Sequence, residues 1–233
     1  MYNRDYLSNQ SSQYTQESSK VQLMSFLKAT YQLFAGSLLA ATAGAYIGLG
    51  IVSLLMGPVK WVLFAIELAL IFFVIPRVKH TPGLNLAVLF AFTFITGLTI
   101  APLLASIFAM PSGASIVGQA FLMTSVAFGA ISMFAMTTKR DFSSMGKFLF
   151  IALIIMIVAG ISNIFIQSSL FQLAIASAGA LLFSAFILYD TQNIIKGNYD
   201  SPIEAALSLY LDFFNLFISL LQILGIMNSG DKE

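Results

Sequence analysis

The chain predicts an all-α, polytopic membrane protein of seven transmembrane helices, and three observations carry that prediction. Hydrophobic residues make up 58% of the 233 and charged residues only 9%, against about 25% charged in a soluble domain. The apolar residues gather in stretches of the roughly 20 residues that a bilayer core requires. Turn residues and small charge clusters punctuate those stretches at intervals that fit short loops. A chain of this length has room for one compact membrane domain, taken as residues 21–229, and none for a separate soluble catalytic domain.

Residues 1–20 (MYNRDYLSNQSSQYTQESSK) are rich in Ser, Gln, Asn and Tyr and poor in aliphatic side chains, which predicts a flexible tail. It is not a signal peptide, because no short apolar core follows its first basic residues. The first span covers about 29–55 and stops at Gly57 and Pro58, and the second covers about 58–76, interrupted past Lys60 at its outer edge only by Glu67. No Lys, Arg, Asp or Glu occurs between Lys79 and Lys139, and the turn at 110–113 (MPSG) divides that run into spans three and four. A second uncharged run, 148–189, divides near 167–169 (QSS) into spans five and six. Span six ends near Gly197 and Asn198. Span seven opens with Ser201, Pro202, Ile203 and Glu204, where Ser can cap, Pro suits the first helical position and Glu can close a capping box. Residues 230–233 form a short C-terminal tail.

Basic residues orient the chain. With seven spans and a cytoplasmic N-terminus, the inner side holds Arg4, Lys20, Lys28, Arg77, Lys79, Lys139, Arg140, Lys147 and Lys196, and the outer side only Lys60 and Lys232. The C-terminus then lies outside. A six-span arrangement, with the last segment dipping in and returning, would move only Lys232 and satisfies the same bias.

Two of these spans carry one carboxylate each, followed three residues later by an amide: Asp190 with Asn193 and Asp212 with Asn215. On a helix each such pair shares a face. An acid this deep in apolar sequence is costly, so the favourable arrangement brings the two carboxyls together inside the bundle, away from lipid. There they can act as hydrogen-bond glue between helices, or as a coupled site whose charge follows pH. Once ionised, their oxygens are ligands that calcium prefers, although two carboxylates alone make a weak site.

Other residues divide between structure and chemistry. Glu67 is too deep to reach the headgroups, which predicts a buried hydrogen bond or a place on an ion path. Arg77, at the inner end of span two, either snorkels to lipid headgroups or latches onto an ionised aspartate. Gly36, Ala40, Ala41, Gly44, Gly48 and Gly50 make span one suited to close helix packing. His80, Asp200 and Glu204 are expected to be solvated loop residues, the cap at Glu204 apart. The absence of cysteine excludes disulfides, thiolate metal sites and a cysteine nucleophile. A net charge of +1, with basic residues set singly or in twos, offers nucleic acid no surface. No tightly bound cofactor and no enzymatic activity are expected. The two-aspartate layout also occurs in presenilin-like intramembrane proteases, but their Gly-x-Gly-Asp and Pro-Ala-Leu motifs are missing here.

At these residues the chain resembles the transmembrane Bax inhibitor motif family. The likeness is carried by ILYDTQNI (187–194) and ALSLYLDFFNLFISLL (206–221), with Glu67 and FAFTFITGLTIAP (90–102) in support. It covers all seven spans, and the short loops are similar to those of bacterial members. The resemblance implies six helices around a central C-terminal helix, a bacterial cytoplasmic-membrane location, and a pH-sensitive calcium leak. It implies Asp190 and Asp212 as the pH sensor and Arg77 as the latch of the closed state, with Pro76 and Val78 standing where related proteins can carry further arginines. Calcium and protons would be the species handled. Some bacterial relatives modulate a membrane-anchored, ATP-dependent protease instead, a role for which the Tyr- and Gln-rich tail would be a docking segment.

Overall fold

The structure, a computed structural model, describes residues 4–230, with side chains described for residues 17–229. Lys232 and the last three residues of the expected C-terminal tail lie outside the described residues. Seven helices among the described residues are long and apolar enough to cross a membrane. They are α1 (Arg4–Gly50), α2 (Val59–Val78), α3 (Leu84–Phe108), α4 (Gly113–Thr137), α5 (Gly146–Ile166), α6 (Ser169–Ile195) and α7 (Pro202–Gly230). No strand occurs among the described residues.

The breaks between helices follow local chemistry. One separate helical turn, Val52–Leu55, links α1 to Gly57 and Pro58, so α1 stops earlier than the expected position 55. The turn after Phe108 separates α3 from α4 where the sequence places it. Gln167 adopts a left-handed conformation (φ 54°) to end α5, and Ser168 then caps α6 by accepting a hydrogen bond from the Phe171 amide. Past α6, Gly197 takes the positive φ of 72° that ends the helix. Ser201 starts α7: its Oγ accepts from the Ile203 amide at 3.2 Å. The Glu204 carboxyl does not close a capping box but reaches Lys79 at 2.9 Å. An ion pair with a cation is a stronger partner than a backbone amide.

The helices at the two ends bear on the sequence reading. The backbone is helical from Arg4, so α1 begins well before the first expected span. Adding residues to an existing helix gains a hydrogen bond for each residue fixed, without a new nucleus, and Ser, Gln and Glu tolerate it. Helix α7 is continuous over 29 residues, about 43 Å at 1.5 Å per residue. A straight rod of that length spans a ~30 Å core and cannot dip and return.

Small residues set the closest helix pair. A Cβ at Gly44 would stand 2.0 Å from the Phe94 carbonyl oxygen, and one at Gly97 would stand 2.0 Å from that of Ala41. Helices α1 and α3 therefore pack nearly backbone to backbone, which replaces the absent hydrophobic drive in lipid with dense van der Waals contact. Helix α7 packs against α1, α3, α4 and α6. It carries the buried core of Ile203, Leu209, Tyr210, Phe213 and Leu216, and Phe213 meets the stacked rings of Phe34 and Phe128 edge-on. Helix α5 packs on α6 and leaves most of its apolar side chains exposed, as a lipid-facing helix does.

Candidate functional site

Asp190 sits five residues before the end of α6, and Asp212 ten residues into α7. At 1.5 Å per residue they lie about 8 Å and 15 Å from the shared α6–α7 turn. Helices α6 and α7 are packed along their length, so the carboxyls come within hydrogen-bond reach of each other. Both are buried, at 7% and 5% exposure. Asp190 Oδ1 accepts a 2.8 Å hydrogen bond from the hydroxyl of Tyr199. Asp212 Oδ2 is buried and accepts no hydrogen bond from the other described residues. Two carboxyls in contact repel when both are charged, so a proton held between them is the favourable state of the pair.

Tyr199 stands in the α6–α7 turn and also engages Ser208. Burial, reinforced by the charge of Asp190, pushes its phenol far above the ordinary value, so it keeps its proton and serves as a donor. Tyr199 and Ser208 line a hollow of about 270 Å³ on the turn side, with Ile71, Pro76 and Glu204. Ser208 lines a second cleft as well, of about 510 Å³, which holds both aspartates and Asn215 between α5, α6 and α7. The acid pair therefore sits at the end of a cleft, with Tyr199 between it and the turn-side hollow.

The two amides behave differently. Asn215 lines the cleft, and its Nδ2 donates to the Leu211 carbonyl at 2.8 Å. Asn193 builds the turn instead: its Oδ1 accepts from Asn198 Nδ2 at 2.8 Å and its Nδ2 donates to the Tyr189 carbonyl at 3.1 Å. Neighbouring Gln192 fastens another loop, donating to the Arg140 carbonyl at 2.8 Å and accepting from the Phe142 amide at 2.7 Å.

Glu67 belongs to a different cluster. Its Oε1 accepts from Thr99 Oγ1 at 2.8 Å, and Thr96, one turn away, hydrogen-bonds to Tyr210. Tyr210 and Asp212 are two residues apart on α7, about 200° around the helix, so Glu67 and the acid pair face opposite sides of it. A π-helical turn, Leu70–Val74, follows Glu67 within α2. Arg77 also stays apart: its Nη1 donates to the Phe73 carbonyl at 2.5 Å, one turn back on its own helix.

Lys79 makes two of the ion pairs at this end. Its Nζ lies 3.1 Å from Asp200 and 2.9 Å from Glu204, joining the α2–α3 turn to the α6–α7 turn. Those two acids, expected to be solvated, raise the Lys79 ammonium above its usual value. Nearby, Lys196 pairs with Asp141, and with Ser143 it holds that carboxyl well below the usual range. The three turns that carry Lys79, Lys139 with Arg140, and Lys196 thus share one end of the bundle. Among the described residues no three His, Cys, Asp or Glu side chains gather as a metal cage.

The sequence singles out Asp190 and Asp212, which the structure brings into one cleft, and does not single out Tyr199, Ser208 or Lys79 as their neighbours. Tyr199 and Lys79 sit in turns whose path no periodicity encodes. Ser208 was legible, because it stands four residues before Asp212 on the same helical face.

The chain is similar over most of its length to other proteins. A family model described as "Inhibitor of apoptosis-promoting Bax1" matches residues 23–229. An uncharacterised Campylobacter jejuni protein is 52% identical, over 98% of this chain and 99% of its own length. A Vibrio cholerae protein described as an uncharacterised membrane protein is 41% identical over 93% of this chain and 94% of its own. A vaccinia virus Golgi anti-apoptotic protein is 39% identical, over 64% of this chain and 62% of its own. With the family model running from the middle of α1 almost to the end of α7, this seven-helix membrane protein belongs to the Bax inhibitor family.

Proposed function

We propose that the protein is a pH-sensitive, calcium-permeable leak pathway of the bacterial cytoplasmic membrane, with its N-terminus in the cytoplasm and the Asp190–Asp212 pair as its sensor. The observation that carries this reading is the contact of two buried carboxyls at the end of a cleft. While the pair holds a proton, the helices α6 and α7 are joined through it. When the proton leaves, the two charges repel, and their oxygens become ligands for a passing divalent cation. Two carboxylates bind such an ion weakly, and weak binding suits passage better than storage.

Closure of the turn side falls to Lys79, which clamps Asp200 and Glu204. Arg77 stands one turn from that clamp and is available to an ionised aspartate if α2 moves. Glu67 serves as the polar anchor of α2 against α3.

Calcium entry into dye-loaded proteoliposomes, measured between about pH 6 and pH 8, tests the reading. Flux should change at least several-fold over that range in the wild type, and Asp212→Asn should flatten the profile. Identical wild-type flux at every pH rules out gating by this pair.

A second reading, modulation of a membrane-anchored protease, draws on the helical N-terminal extension from Arg4. Deleting residues 1–20 separates the two: a docking role predicts lost partner binding with calcium flux intact.

A further inference from the structure

Helix α7 carries a second pattern beside its aspartate. Ser208, Asp212, Asn215, Ser219 and Gln222 follow one another at spacings of four, three, four and three. That is the period of a single helical stripe, and all five line the same cleft. The stripe runs about 21 Å at 1.5 Å per residue, most of a ~30 Å membrane core. The opposite wall, from α5, is Leu153, Met156, Ile157 and Gly160, with no charge. A polar stripe that faces an apolar wall across an open cleft is unfavourable if acyl chains fill the gap, and Asp212 Oδ2 is already buried without a donor there. Water or a cation in the cleft would satisfy it.

The cleft has a defined far end. Gln172 Nε2 donates to Gln222 Oε1 at 2.9 Å, and Gln172 Oε1 accepts from Asn163 Nδ2 at 2.7 Å. These three amides join α5, α6 and α7 at the end remote from the α6–α7 turn. Their mutual hydrogen bonds draw the cleft together there.

We propose that calcium travels in the cleft between α5, α6 and α7, stepping along the α7 stripe, and that the Asn163–Gln172–Gln222 clasp closes the end opposite the acid pair. This rests on the leak reading above and names its route. Carboxylate, amide and hydroxyl oxygens about 5 Å apart provide successive weak sites for a partly hydrated divalent cation. The passage then has two closures: the acid pair with Tyr199 at one end and the amide clasp at the other.

The natural absence of cysteine makes the test clean. Single cysteines at Asn215, Ser219 and Gln222, and at the lipid-exposed Leu181 as control, are placed in proteoliposomes and treated with a membrane-impermeant, cationic methanethiosulfonate. The three stripe positions should react, calcium should slow the reaction, and modification at Ser219→Cys should cut calcium flux about five-fold or more. Leu181→Cys should stay unmodified. Gln172→Ala and Gln222→Ala should each raise flux several-fold at a pH where the wild type is closed, without moving the pH midpoint. Stripe cysteines that stay unmodified while wild-type flux keeps its pH dependence overturn the route and leave the leak reading standing. Modification without loss of flux overturns it too. Unchanged flux in both glutamine variants overturns the clasp. A wild type without calcium flux at any pH removes the leak reading, and the route falls with it.

Discussion

At the scale of single residues, the arrangement turns on what each carboxyl meets. Asp190 has a donor in Tyr199, and Asp212 has the other acid. The difference predicts unequal roles. Tyr199→Phe removes the one phenolic donor to Asp190, a hydrogen bond to a charged group worth about 1.5–3 kcal/mol. The ionised pair is then less well supported, and the midpoint of the calcium-flux profile should move toward alkaline pH by about one to two units, since 1.36 kcal/mol corresponds to roughly one unit. An unmoved midpoint would show that Tyr199 does not support the ionised pair. The acid pair was legible because two carboxylates in long apolar stretches, each with an amide at i+3, are costly unless they meet. Tyr199 was not legible. It follows Gly197, whose positive φ redirects the turn, and a sequence pattern does not say where such a turn points a side chain.

At the scale of helices, the same contrast recurs. Boundaries marked by Gly, Pro or Ser, such as the α3–α4 turn and the start of α7, were readable from side-chain chemistry. The split of the first span into α1 and the turn Val52–Leu55 was not, since both pieces are equally apolar. The small residues of α1 were identified in sequence, but their partner was not. Only the structure shows Gly44 and Gly97 set against carbonyl oxygens across α1 and α3. Gly97→Val should therefore lower thermal stability in detergent by about 1–3 kcal/mol through overpacking. Gly129, with open space at its Cβ position, should accept Ala without loss and gain up to about 1 kcal/mol of helix propensity. Thermal unfolding of the two variants side by side checks both signs. The Lys79 clamp is also a helix-scale device, because it joins two turns far apart in the chain. Lys79→Met and Glu204→Gln should each speed amide exchange in the α6–α7 turn. Their effects should fail to add, because each removes the same bridge. Full additivity would mean that the bridge carries nothing.

At the scale of the whole molecule, one end of the bundle collects the basic turns, held by Lys79 with Asp200 and Glu204 and by Lys196 with Asp141. Because Lys196 and Ser143 keep the Asp141 carboxyl well below its ordinary value, that bridge stays ionised as pH falls through the neutral range. Its contribution is present above the usual carboxylate value and is lost only under strongly acidic conditions. The near-neutral response that the proposed gating requires is therefore assigned to the buried acid pair and not to this bridge. The most direct measurement is infrared difference spectroscopy of the reconstituted protein between acidic and alkaline buffer. The account predicts a protonated-carboxyl carbonyl band that disappears as pH rises and is missing from Asp212→Asn. A band that persists unchanged in that variant, or no band in the wild type, would contradict it.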